Sequence, residues 1–237
     1  MRGACLLVLS LLVFGSQAAL AEDWDMHLTV DNQFDAYFGT ATTTNFYAGR
    51  GTDWPTTYHY TAPGRGAGDF LYVATASDQS VAQGFIGVFT NTTRGVTVET
   101  GSDVWEVFPA GAYAATNPFG AHNWPANLLP TQAQVDTAIA YATANDLWVP
   151  PDTDDAHVNG VSPWGSRPDI PNSAKWIWHN KDKASFSSPF EPGVNHDEFL
   201  VFRISGTGVP EPASAALLLP AISLASLRCR SASASRP

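Results

Sequence analysis

The chain is short of cysteine, of basic residues and of catalytic signatures, and each shortage excludes something. Only Cys5 and Cys229 occur in 237 residues. Both lie outside the central stretch 22–208, so those 187 residues are expected to hold together by packing rather than by disulfides. A cysteine nucleophile is excluded there as well. Within 22–208 eight Lys and Arg stand against 21 Asp and Glu, a net charge of −13 with His neutral. That balance argues against nucleic acid and against anionic membrane as partners. Gly160-Val161-Ser162-Pro163-Trp164 lacks the last glycine of a nucleophile elbow, and proline opposes the strand-turn-helix that the elbow needs. Glu99, Glu106, Glu191 and Glu198 are candidates for a glycosidase pair, but nothing in their spacing pairs them. The six histidines, at 27, 59, 122, 157, 179 and 196, are scattered and show no transition-metal spacing. The residues point to no catalytic centre, and the reading is of a protein that is not an enzyme.

The two ends carry more information. Residues 1–21 have a basic start at Arg2, an apolar centre over 6–14 and Ala19-Leu20-Ala21 as a small-residue cleavage site. This is the pattern of a secretory signal peptide, whose removal leaves Glu22 as the first residue. At the other end, Val209-Pro210-Glu211-Pro212 precedes the uncharged run 213–227 and then Arg228-Cys229-Arg230. Fifteen residues of helix span about 22 Å. A bilayer core is about 30 Å thick, and Pro220 falls in the middle of the run. The run is therefore a poor permanent span and a plausible transient one. The arginines beyond it hold that terminus in the cytoplasm.

Pro-Glu-Pro, a short apolar segment and terminal arginines resemble the PEP-CTERM sorting signal of Gram-negative bacteria. The resemblance covers the tail, 209–237. It implies an exosortase-type membrane processing enzyme as partner and gives Pro210, Glu211, Pro212, Arg228 and Arg230 the sorting role. The implied route is export, transient inner-membrane anchoring, processing, and delivery to the cell surface or extracellular space.

Between the ends, strands are expected. Trp24, Met26, Leu28 and Val30 alternate with polar residues, a half-buried strand that Asp31-Asn32 ends in a turn. Phe34, Ala36 and Phe38 continue as a second strand, with Gln33, Asp35 and Tyr37 on its other face. Residues 39–53 read as a Thr/Gly-rich loop. Further strands are expected at 57–61, 70–76, 85–90, 96–100, 104–108, 175–179 and 198–204, with 70–76 apolar on both faces and hence central. Thr131 and Gln134 form a capping-box start ahead of Val135, Ala138, Ile139 and Ala142, which predicts one helix over 131–146. The total is about nine strands, with a helical and loop insertion at about 109–172.

This alternation, with Ala174-Lys175-Trp176-Ile177-Trp178 and Phe199-Leu200-Val201-Phe202-Arg203, is similar to the galactose-binding-like β-sandwich. The resemblance covers most of 22–206 and implies an antiparallel jelly roll for the domain 22–208, mainly β with one inserted α-helix. Two kinds of site are candidates. Trp54 and Trp164 stand in expected loops with Asp53, Arg167 and Asp169 near them in sequence, a set suited to stacking on a sugar ring and pairing with its hydroxyls. The same tryptophans suit a second role, as plugs at the ends of a sandwich core. Asp152, Asp154 and Asp155 offer hard oxygen ligands for a structural calcium, and Asp31 beside its turn offers another. The expected function is an exported, non-catalytic surface or matrix protein. The alternatives are a carbohydrate-binding module, with an extracellular polysaccharide as partner, and a secreted glycoside-active hydrolase.

Overall fold

Alternating side chains in the first strand decide which way the chain faces. The computed structural model describes residues 21–79, 82–153, 155–179, 190 and 199–205. In β1 (Glu22–Asp31) the side chains of Trp24, Met26, Leu28 and Val30 are at most 3% exposed. A period of two places all four on one face of the strand. β2 (Gln33–Gly39), β3 (Thr44–Gly51), β4 (Tyr58–Arg65), β5 (Phe70–Ala76), β6 (Gly84–Asn91), β7 (Val96–Glu99), β8 (Glu106–Phe108) and β9 (Val201–Ser205) follow. They form a four-stranded sheet, β4-β1-β6-β7, and a five-stranded sheet, β3-β2-β5-β9-β8. All pairings are antiparallel. Among the described residues the architecture is a mainly β sandwich with one α-helix. At Asp31-Asn32, joined by a cis peptide bond, the chain turns and passes from the first sheet to the second.

The inner faces of the two sheets share one apolar core. Phe85 of β6 lies edge-on to Trp105 at 5.3 Å between ring centroids and reaches Phe202 of β9 at 5.2 Å. Edge-to-face pairs of this kind add to the burial energy of large rings. A second core lies on the outer face of the five-stranded sheet. There α1 (Gln132–Ala144) packs Val135, Ala138, Ile139 and Ala142 toward Tyr72, Phe108 and Val201. The helix starts where the capping box predicts. Thr131 accepts from the Gln134 backbone N–H, and the Gln134 side chain accepts from the Thr131 N–H at 2.8 Å. Asp136 then pins it to β3 by accepting from the Thr44 N–H and hydroxyl at 2.7 and 2.8 Å.

Several expectations change. The loop expected at 39–53 contains β3. Phe46 and Ala48 of this strand pack against the core while Asn45 and Tyr47 stay exposed, but Gly49, Gly51 and two register shifts along β2 keep that alternation too short to announce a strand. The strand expected at 175–179 is a series of isolated bridges: Lys175 to Val158, Ile177 to Phe85 and Trp178 to Asp152. Each residue finds a different partner, so no ladder grows. The strand expected at 104–108 shortens to β8. Residues 109–172 do more than interrupt the pattern, since they supply α1 to one core and Trp164 and Ile170 to the other. Asp35, read as part of a polar face, is fully buried and held by Arg50 in two parallel bonds of 2.8 and 2.7 Å.

Six of the eight tryptophans are buried, and Trp54 and Trp148 are half-buried. The signal segment 1–20 and all of the sorting residues lie outside the described residues. Among the described residues no helix is long and apolar enough to cross a membrane.

Candidate functional site

A cleft opens at the end of the sandwich where the chain crosses between sheets. Its volume is about 290 Å³, and it is lined by Asp31, Asn32, Trp54, Asp78, Ala82, Gln83, Pro163 and Trp164. Four segments meet there: the β1–β2 crossing, the loop after β3, the loop after β5 and the turn around Pro163. The last is shaped by its own polar residues. Asn159 donates to the carbonyls of Arg167 and Ile170 at 3.0 and 2.6 Å and accepts from the Arg167 N–H at 2.7 Å. Gly160 and Gly165 stand at φ +98° and +66°, in the left-handed region that glycine enters without steric cost.

Trp164 is 3% exposed. Its ring stacks on Trp176 at 4.2 Å, and its indole N–H donates to Asp31 Oδ2 at 2.8 Å. It is a plug of the sandwich end that shows an edge to the cleft, and it offers no open stacking face. Trp54 is half-buried, and its carbonyl accepts from the Thr29 hydroxyl at 2.8 Å. Arg167 lies 5.3 Å from the centre of the Trp54 ring and donates to the carbonyls of Pro55 and Trp164 at 2.6 and 2.8 Å. It staples the two tryptophan loops together. Three of the five residues expected at a sugar site thus come together. Asp53 is exposed and accepts from the Thr56 hydroxyl at 2.9 Å, and Asp169 is exposed at φ +63°. Neither of these two lines the cleft.

The polar groups that do line the cleft were not legible as a set. Burial pushes the Asp31 carboxyl up to about 6, the Trp164 hydrogen bond offsets part of this, and the nearby Asp78 charge adds to it. The group is therefore an acid close to neutrality, able to donate or accept a hydrogen bond within a small pH range. Gln83 donates through Nε2 to Asp78 Oδ1 at 2.7 Å, while its Oε1 is buried without a hydrogen-bond partner. A buried acceptor left open is costly and suits a ligand that brings a donor. The sequence signal was slight: Asp31 was visible beside a turn, but the other residues come from a loop some fifty residues away.

The remaining candidates lie elsewhere. Asp155 is paired with Lys175 Nζ at 2.6 Å, the Asp152 backbone bridges to Trp178, and Asp154 lies outside the described residues. Glu106 accepts from Arg203 at 2.7 Å in one sheet, and Glu99 accepts from Ser173 at 2.7 Å at the end of the other. Glu191 and Glu198 lie outside the described residues. A larger cleft of about 420 Å³ near Tyr113, His122, Leu147 and His179 contains none of the expected site residues.

Comparison with protein-family models, with curated proteins and with solved structures finds no match to this chain.

Proposed function

We propose that this is an exported, non-catalytic domain delivered to the cell surface or extracellular matrix by its C-terminal sorting tail. The observation that carries the reading is where the folded body begins. Glu22, the residue after the expected cleavage site, is 2% exposed, and its carboxylate accepts from Asn91 at 2.6 Å and pairs with Arg94. Cleavage after Ala21 is thus the last cut that leaves the sandwich whole. At the other end β9 stops at Ser205, a few residues before Pro210-Glu211-Pro212. Residues before proline avoid helix, which suits an extended recognition element there. Replacing Pro210, Glu211 and Pro212 by alanine should leave an unprocessed, membrane-associated precursor in the native host. Processing and localisation like wild type would sink the sorting-signal reading. Intact mass of the exported protein checks the other end, where a retained Met1 refutes cleavage after Ala21.

The cleft favours a second reading, a carbohydrate-binding module similar in its jelly-roll plan to galactose-binding-like domains. A volume of about 290 Å³ is at the lower end for small-ligand sites, ~300–1,000 Å³, and suits one sugar unit of a polysaccharide. The half-buried Trp54 ring gives an apolar wall, and Asp31, Asp78 and the open Gln83 carbonyl give partners for hydroxyl groups. Polysaccharide affinity electrophoresis with wild type, Trp54→Ala and Gln83→Leu tests it. Retardation that both substitutions abolish supports the reading. Retardation that neither changes, or none on any polysaccharide, removes it. Turnover of the polysaccharide, lost in Asp31→Asn, would instead favour the hydrolase.

A further inference from the structure

We propose that Asp25, His27 and His59 form a site for a divalent transition ion of the zinc class. Asp25 and His27 stand two residues apart on β1, His59 lies 32 residues beyond His27, and strand register brings the three together. His27 and His59 are direct cross-strand partners in the β1–β4 pairing, and Asp25 lies two residues before His27 on the same face. Directly opposed residues of an antiparallel pair bring their Cβ atoms within about 5.5 Å. The two imidazoles stack at 4.3 Å between centroids, with planes 7° apart. Both turn Nε2 toward Asp25, His27 at 3.2 Å from Oδ1 and His59 at 3.0 Å from Oδ2. One ligand atom from each residue lies within 4.8 Å of the other two. Tetrahedral zinc with bonds of ~2.0–2.2 Å needs ligand atoms about 3.3 Å apart. Each Nε2 lies at about that spacing from a different oxygen of Asp25, and since parallel rings cannot both aim an in-plane lone pair at one ion, binding tilts the two imidazoles out of their stack.

The donor set selects the metal. Two imidazoles and one carboxylate suit zinc, copper or nickel, whereas calcium and magnesium prefer oxygen alone. The cross-strand neighbours of Asp25 are Thr61 and Thr90, so no cation competes for its carboxylate from those positions. Side-chain exposure of 53% for His59, 37% for Asp25 and 26% for His27 leaves the outer side open to water as a fourth ligand. The site also has a mechanical consequence. β4 is an edge strand and β1 an inner one, so a bound ion clasps the edge to the sheet.

Titration of the full chain with zinc chloride at neutral pH tests the proposal. Cys5→Ser and Cys229→Ser remove the thiols as competing ligands. Calorimetry should show one equivalent bound, with affinity at least about tenfold weaker in His27→Gln or His59→Gln and unchanged in His122→Gln. Calcium chloride should give no comparable heat. On the thiol-free chain with both histidines intact, zinc should shift the imidazole NMR signals of His27 and His59 and raise the unfolding midpoint. Absence of zinc binding overturns the proposal. So does equal affinity in the double variant His27→Gln/His59→Gln, or imidazole shifts confined to other histidines.

Discussion

The outer faces of the two sheets begin from similar sequence and end in opposite states. On β1, Asp25 and His27 alternate with apolar residues; on β2, Asp35 and Tyr37 do the same. The β1 pair stays half-exposed, and Asp25 meets two histidines. The β2 pair is buried, and Asp35 is held by Arg50 and by the Tyr47 hydroxyl. What differs is the cover. α1 closes over the five-stranded sheet and the Tyr47 and Arg50 side chains of neighbouring β3 flank Asp35, while the polar row of Asp25, His27, His59, Thr61, Thr90 and Thr97 on the four-stranded sheet remains open. The lesson is that alternation reports two faces and not which of them meets water. Of the two outer faces, the open one is where chemistry that needs solvent or an ion has access.

The most disruptive way to probe this comparison is to attack what both faces rest on. Phe85→Ala, in the shared core, should cost about 3–5 kcal/mol, measured by urea denaturation. Ile139→Ala, which touches only the covered face, should cost about 2–3 kcal/mol. Equal losses from a core residue and from an open-face residue would end the distinction between the faces.

Charge comes next. Arg50→Ala strands the buried Asp35 carboxylate and should cost about 3 kcal/mol. Asp25→Ala on the open face should change stability by less than about 0.5 kcal/mol in metal-free buffer, since exposed pairs contribute little.

Asp31, at the junction of the two sheets, lies between these extremes. Its folded pKa is raised to about 6 from 3.8, so the folded protein holds this proton after the unfolded chain has released it. The contribution favours folding in acid and is lost as pH rises from about 4 through about 6. Asp31→Asn keeps an acceptor for the Trp164 indole and should flatten that window. It should also gain about 2 kcal/mol at pH 7, the shift discounted for water reaching the cleft. Thermal melts across this range check both effects, and an unchanged slope would show that the carboxyl is not desolvated as its burial indicates.

The smallest effect belongs to His59→Gln. Without metal its stability should lie within about 0.5 kcal/mol of wild type. The difference should appear only on adding zinc, as the loss of the rise in unfolding midpoint.

How much of this was legible depended on the range of the signal. Local patterns read well. The alternation of Trp24 to Val30 marked β1, the apolar 70–76 marked a strand that pairs on both sides, and Thr131 with Gln134 marked the helix start. Such features depend on residues within one or two turns of each other, so the sequence alone determined them. So, too, did the absence of disulfides within 22–208 and the acidic charge. The edge strand β3 was missed because its alternation of Phe46 and Ala48 against Asn45 and Tyr47 is short and runs into Gly49 and Gly51, so that pairing with β2 is what forms it. The candidate sites needed the third dimension. Trp54, Arg167 and Trp164 were near enough in composition to be noticed. That Trp164 is buried against Trp176, or that Gln83 leaves a carbonyl open beside Asp31, depended on loops meeting after the sheets had paired. His27 and His59 are 32 residues apart, and only the β1–β4 register makes them neighbours. A shift of one residue in that register would place His59 on the opposite face. Register is set by the burial of whole strand faces, a property of the packed sandwich that no short stretch of the chain contains.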